Sequence, residues 1–525
     1  MENYEYLVPA VRGSVQKDAG HFQLQMVIGI QFGGFERWCA AAFLDRTGRS
    51  VGGNDVLFFT RKEELPSEGY ELTIEEDRIN IAASSERGIV WALTTSALLL
   101  EDGSIPCGSI SDFPKYEHRG LSVDCARHFF PAEEIKKIIE EISLAKMNVL
   151  HWHLTDDQGW RIESRKFPRL QEMSGQYYTQ EEIRDVCEFA RLRGVEIIPE
   201  VDMPGHVSAL LAAYPRFSCG EKPVKIKTGG GIFPVILCAG RDEVFDFLKE
   251  LLTEIAGLFP GKRFHLGGDE APRTEWKKCP FCHARMEKLG LNRWEDLQGY
   301  FMSRMAKILS ELGKTPVCWN ETLCADNYPQ KMQAQYWTLA QRKAMEPYAK
   351  AEREWIYSDM FELYLDYPYS MTNLRKVYET VPHLGEEDFS GQKGLLGLEG
   401  CLWSEHITEC EKLEKNLFPR IYALAENAWS GAGEYEAFTA RLRKAITLPL
   451  HQGIAYTPED WWEPAGPERQ REAFAYMAAL SANMSEEAKA ETMDSSAPDE
   501  DFGKAFMTKF FQPEDIPILM GGRQQ

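Results

Sequence analysis

From residue 119 onward, short apolar runs alternate with longer amphipathic stretches, and the alternation recurs close to eight times. The pattern predicts strands over 121–124, 148–154, 195–200, 264–266, 315–319, 332–337, 355–358 and 395–403. It predicts helices over 131–146, 179–193, 242–258 and 294–312. Thr179 with Glu182 reads as a capping box, and Gly194 ends that helix. Strand and helix in repeated alternation mean a parallel sheet, because each parallel return needs a crossover. A repeat count near eight favours a closed (β/α)8 TIM barrel over a doubly wound sheet.

That topology constrains where chemistry can occur. Barrel active sites lie at the C-terminal ends of the strands. The polar residues that follow each predicted strand should therefore converge: Arg127 and His128, Asp156 and Asp157, 200–206, Asp269 and Glu270, Trp319 to Glu321, Trp337, Asp359, and Trp403 to Glu405. A rim rich in acids and tryptophan suits a sugar. Carboxylates accept hydroxyl hydrogen bonds, and aromatic faces cover the apolar side of a pyranose. The stretch His265-Leu266-Gly267-Gly268-Asp269-Glu270 stands out, with two adjacent carboxylates after a glycine pair.

The rest of the 525 residues divide around this barrel. Residues 1–112 read as a small α/β domain, with a strand-like run at 23–30, a hairpin of 70–74 with 78–81, and a helix over 84–100. Residues 113–464 form the barrel domain, and 465–525 a mainly helical C-terminal extension of unassigned role. Within that extension 485–501 is acidic and reads as a solvated linker, and Phe506, Phe510 and Phe511 are candidates to dock back. A formal net charge of −22 argues against nucleic acid or an anionic membrane surface as partner. No basic segment followed by an apolar run opens the chain, so a cytoplasmic protein is expected. Twelve scattered cysteines fit reduced thiols. The pair Cys279-Pro280-Phe281-Cys282 offers only two of the usual four zinc ligands, and reads as thiols on a surface loop.

Four ordered motifs resemble the family-20 glycoside hydrolases, the β-N-acetylhexosaminidases. They are His118-Arg119-Gly120 through Phe130, His151-Trp152-His153-Leu154-Thr155-Asp156-Asp157-Gln158-Gly159-Trp160-Arg161, Pro199 through His206, and His265 through Glu270. The similarity runs from about residue 117 to 462. Adjacent acids cannot easily flank one anomeric carbon, whereas glycosidases ordinarily place a carboxyl on each face of the sugar. The resemblance implies that the nucleophile is the substrate's own 2-acetamido oxygen. Glu270 would be general acid and then base, and Asp269 would orient the acetamide. It also implies that Arg119, Asp156, Asp366 and Glu405 bind or border the sugar. By the same resemblance His206 would bond the catalytic glutamate, with Asp202 or Glu200 behind it. Trp319, Trp337 and Trp403 would wall the pocket, and Tyr364 would donate to the acetamide oxygen. The expected substrate is an oligosaccharide or glycoconjugate ending in β-linked N-acetylhexosamine, with no cofactor and no metal. A further pocket tryptophan found in some members has no counterpart in 371–380. Alternatives are a family member that releases a disaccharide or cuts internally, a non-catalytic sugar-binding barrel, or a metal-dependent barrel hydrolase. The last would use His151 and His153, which period two puts on one strand face, with His206 and Asp269.

Overall fold

The computed structural model describes residues 3–495, 500–513 and 515. Eight parallel strands close into a barrel, each paired with its neighbours in chain order. They span His118–Asp124, Val149–His153, Glu196–Glu200, Arg263–His265, Thr315–Trp319, Gln333–Tyr336, Trp355–Tyr357 and Leu395–Leu402. The last pairs with the first, Leu398 opposite Arg119 and Leu402 opposite Val123, which seals the ring. Every helix expected between strands is present. Ala132–Leu144 and Asp242–Ala256 bury an apolar stripe against the strands, as their spacing requires. Gln180–Leu192 carries the capping box of Thr179 and Glu182, a device worth about 1 kcal/mol.

The barrel interior is not simply apolar. Two carboxylates anchor a buried polar layer. Glu399 lies 2.8 Å from His151 Nδ1 and 2.7 Å from His118 Nε2, and accepts from Gln335 Nε2 at 2.7 Å. Glu200 lies 3.1 Å from His151 Nε2 and 3.0 Å from His265 Nδ1, and also meets His153 Nδ1. Burial works against a charged His151, but Glu399 and Glu200 outweigh it and push its pKa up to about 9. Both carboxyls are held below the usual range, because the surrounding imidazoles outweigh their burial.

The N-terminal domain is a six-stranded mixed sheet, in the order Ser14–Gln23, Ser104–Asp112, Tyr70–Ile74, Ile79–Ala83, Ser50–Arg61 and Val27–Gln31. The hairpin pairs as expected, Leu72 opposite Ile81. The run at 23–30 is not one strand. It ends one edge strand and begins the other, so an apolar stretch spans a chain reversal between the two sheet edges. Glu86–Leu98 crosses the sheet and meets the bottom of the barrel, where Trp91 packs edge-on to Trp429 at 6.3 Å. Lys146 Nζ donates to Asp112 at 2.9 Å across the same junction.

The C-terminal extension is helical, over Gly466–Asn483, Glu486–Ser495 and Glu500–Phe510. The expectation of a solvated linker at 485–501 is corrected. Ala488 is buried, and Glu491 accepts from Thr274 Oγ1 at 2.8 Å, so this segment docks beside the fourth barrel strand's loop. Residues 496–499 lie outside the described residues. Phe510 and Phe511 do dock back, Phe510 packing 4.9 Å from the Tyr367 ring. Among the described residues no helix is long and apolar enough to cross a membrane.

Candidate active site

The fourth barrel strand ends at His265, and its chain then turns through Gly267 and Gly268. Gly267 has φ +66°, and a Cβ there would fall 1.7 Å from Asp202 Oδ1. No other residue fits that approach. Gly268 N–H donates to Asp202 at 3.2 Å and its carbonyl accepts from Gln298 at 2.8 Å, which locks the turn. Asp269 and Glu270 emerge from it into the mouth of the barrel. Glu270 has φ +45° and His206 φ +52°, a strained region for non-glycine residues.

His206 links the two halves of the site. Its Nε2 lies 3.5 Å from Glu270 Oε2 and 3.7 Å from Asp269 Oδ2. Its Nδ1 lies 3.2 Å from Asp156 Oδ1. The group behind His206 is therefore Asp156, not Asp202 or Glu200. Asp202 supports the glycine turn, and Glu200 belongs to the barrel interior. Asp156 is itself fully engaged, with Arg127 Nη2 at 2.9 Å and His153 Nε2 at 3.0 Å. It is buried behind the pocket wall and does not line the cavity. Asp157, its neighbour, accepts from Ser208 N–H at 2.9 Å and fixes the loop that carries His206. Burial disfavours a charged His206, but Asp156, Glu270 and Asp269 raise its pKa well above the ordinary value.

Asp269 carries a raised pKa, about 6. Burial is the main cause, with Glu200 and Glu270 adding to it against His206. Its Oδ1 is buried and has no hydrogen-bond partner among the described residues. Asp366 Oδ1 is in the same state, and burial together with Glu405 lifts that carboxyl to about 7.

Around these groups lies a cavity of about 170 Å³. Trp319, Trp337, Tyr364 and Trp403 form its aromatic walls, with Asp366 and Glu405 among its acids. Trp337 stacks on Tyr364 at 6.2 Å and 14°, and Trp403 lies 5.9 Å from Trp319. Two of the three indoles are oriented from behind: Trp319 Nε1 donates to Glu200 at 2.8 Å and Trp337 Nε1 to Glu321 at 2.8 Å.

Arg119 is not in this cavity. It sits at the opposite end of the first barrel strand, fully buried, donating to Glu68 and to the carbonyls of Lys146 and Tyr116. Burial alone would raise the Glu68 carboxyl, yet Arg119 and Arg87 hold it at about 2. Arg119 thus joins the two domains. The arginine that lines the cavity is Arg127, 5.0 Å over the Trp403 ring and 3.9 Å from Glu405. Arg119 lies at the start of the first strand and Arg127 just past its end, and only the direction of the barrel separates their roles.

Two contributions come from outside the motifs. Tyr367 lines the cavity, and so does Tyr476 of the helix Gly466–Asn483, whose hydroxyl donates to Asp366 at 3.2 Å. The residues of the metal-hydrolase alternative fall into separate clusters. His151 groups with Glu200 and His265, while His206 and Asp269 group with Asp202. A larger cavity, about 970 Å³, lies between the barrel bottom and the N-terminal domain near Glu68 and Arg263. It is at the wrong end of the strands to share this chemistry.

A closed parallel barrel whose strand ends converge on two carboxylates and an aromatic-walled pocket defines a sugar-processing hydrolase. The model of the glycosyl hydrolase family 20 catalytic domain matches residues 116–432, and that of domain 2 of the same family matches 6–113. The chain belongs to glycosyl hydrolase family 20 and is a glycosidase of the β-N-acetylhexosaminidase type. It is 32% identical over 410 residues to a beta-hexosaminidase of Akkermansia muciniphila, covering 72% of this chain and 83% of that one. To a beta-hexosaminidase of Porphyromonas gingivalis it is 33% identical over 434 residues, 75% of this chain but only 55% of that longer relative. The solved exo beta-N-acetylglucosaminidase of Vibrio harveyi, in complex with N-acetylglucosamine, superimposes with a TM-score of 0.77 at 27% identity. That match covers 87% of this chain and 79% of the other.

Proposed function

We propose that this chain removes terminal β-linked N-acetylhexosamine from glycans, one residue at a time, with net retention and through an oxazolinium ion. The observation that carries the reading is the unpartnered, buried Oδ1 of Asp269 beside Glu270. A buried acceptor without a donor is costly, and an acetamide N–H would satisfy it. Held that way, the acetamide oxygen can attack the anomeric carbon while Glu270 protonates the leaving oxygen. Glu270 then deprotonates the incoming water. Asp269, as an anion, stabilises the positive charge that develops on the acetamide nitrogen. Tyr364 would donate to the acetamide oxygen, and Arg127, Asp366 and Glu405 would hold hydroxyls. His206, charged through Asp156, positions Glu270 and Asp269. The small cavity, with Tyr476 bonded to Asp366 in its wall, supports a single-sugar, exo-acting pocket.

A turnover assay on an aryl N-acetyl-β-glucosaminide tests the activity, and proton NMR of the first-formed sugar tests its stereochemistry. The β anomer is expected first; an α anomer contradicts substrate assistance.

The raised pKa of Asp269 sets an acidic limit. Below about pH 6 this carboxyl takes a proton and loses the charge that the oxazolinium requires. The expected kcat/KM falls as pH drops through that value, reporting the free enzyme. In Asp269→Asn the residual activity should lack this limb. A limb that persists unchanged in the variant assigns it to another group.

A further inference from the structure

Four cysteines converge where the sequence offered an isolated pair. Cys279 and Cys282 open the helix Pro280–Leu289. They are not on an exposed loop: both are buried, as are Cys219 and Cys238 from the segment after the third barrel strand. Cys238 Sγ lies 3.8 Å from Cys279 Sγ and 3.8 Å from Cys282 Sγ, and Cys219 Sγ 3.8 Å from Cys282 Sγ. All four sulfurs lie within 4.8 Å of one another. A disulfide would need about 2.0 Å between one pair. Four sulfurs at about 2.3 Å from a central zinc form a tetrahedron with edges of about 3.8 Å.

We propose that Cys219, Cys238, Cys279 and Cys282 hold one structural zinc ion. Binding releases the four thiol protons and leaves a Zn–thiolate centre of net charge −2. Four thiolates complete the tetrahedron, so no position is open for substrate or water, and the ion is structural and not a catalyst. Backbone geometry supports a built cage. A Cβ at Gly240 would fall 2.2 Å from the Phe281 carbonyl carbon and 2.5 Å from Cys282 N, so the two ligand loops touch main chain to main chain. A cationic group stands beside the cage: Arg285 donates to the Gly240 carbonyl at 3.1 Å.

The placement has a purpose within the fold. Cys219 and Cys238 belong to the excursion that begins at His206, and Cys279 and Cys282 to the one that begins at Glu270. Trp276 Nε1 donates to the Leu237 carbonyl at 2.9 Å and stitches the two excursions, and Leu237 N–H donates to the Pro204 carbonyl at 3.1 Å, which ties its own excursion back toward the His206 turn. A zinc there ties the loop that carries His206 to the loop that carries Glu270.

The test reads the metal and not turnover, so it fails or succeeds independently of the proposed reaction. Full-length protein purified without chelator should retain stoichiometric zinc after desalting, measured by plasma mass spectrometry. Cobalt exchanged into reduced protein should show the intense visible bands of a tetrahedral thiolate site. Cys279→Ser with Cys282→Ser should lose the bound zinc and lower the thermal midpoint. Should that variant not fold, the cobalt spectrum of the unmodified chain decides. Disulfides among these four cysteines, iron in place of zinc, or a reduced protein that neither retains nor takes up zinc overturns the proposal.

Discussion

Glu270→Gln is expected to cut turnover of glycans with a sugar leaving group by on the order of 10²–10⁴-fold, with KM little changed. A sugar alkoxide is a poor leaving group and needs a proton as the bond breaks. Glutamine keeps the size and the hydrogen-bonding shape of the side chain but has no proton to give. The residue stands at the pocket mouth, 3.5 Å from His206 Nε2, on backbone held at φ +45°. In the proposed reaction that turn would present the carboxyl to the leaving oxygen, so a shape-conserving variant should still bind. Nitrophenyl substrates leave without protonation, and their glycosylation step should lose far less. Single-turnover rates on both substrate types make the comparison. Equal losses would remove Glu270 from the acid role and give it a binding role instead.

The barrel was legible in the chain because its signal is local. Alternation of apolar runs with 3.6-period stretches survives without knowledge of any partner, and even the three-residue strand Arg263–His265 lies where its apolar run predicts. Asp269 and Glu270 were legible for the same reason: a strand end, two glycines and two acids are contiguous. What was not legible depends on direction and on distance along the chain. Arg119 and Arg127 are eight positions apart on and after one strand, yet one faces the domain junction and the other the aromatic-walled cavity. Motif proximity cannot distinguish the two ends of a barrel. Asp156 sits in the motif as a plausible sugar ligand, but burial turns it toward His206 and Arg127. Tyr476 reaches Asp366 across 110 positions, and Cys238 reaches Cys279 across 41. Such pairs carry no periodicity, so an acidic extension read as linker and a C-x-x-C read as surface thiols. A search for further cysteines to complete a tetrahedral set was the one signal available for the second.

The acetamide should be decisive for activity. A β-glucoside with the same leaving group, but a hydroxyl in place of the 2-acetamido group, is expected to be almost inert. Glu270 could still protonate its leaving oxygen, but Asp269, its neighbour in sequence, is badly placed to flank the anomeric carbon with it, so nothing would attack that carbon. A thiazoline built on N-acetylglucosamine resembles the cyclic intermediate and should bind far more tightly than substrate. Its ring nitrogen can carry a proton, and the buried Oδ1 of Asp269 is the free acceptor that would meet it. Asp269→Asn keeps the shape and removes the charge. It should lose on the order of 10²–10³-fold in kcat, the scale of one electrostatic contact to a developing charge. It should also lose most of the thiazoline affinity, while binding of the product sugar weakens far less. The pH dependence gives the same answer from another side, because thiazoline binding to the unmodified enzyme should weaken as Asp269 protonates below about pH 6. Similar kcat/KM on the glucoside and the N-acetylglucosaminide, with weak thiazoline inhibition, would place the nucleophile on the enzyme. Asp366 and Glu405, the other acids lining the cavity, would then be the carboxylates to replace in turn.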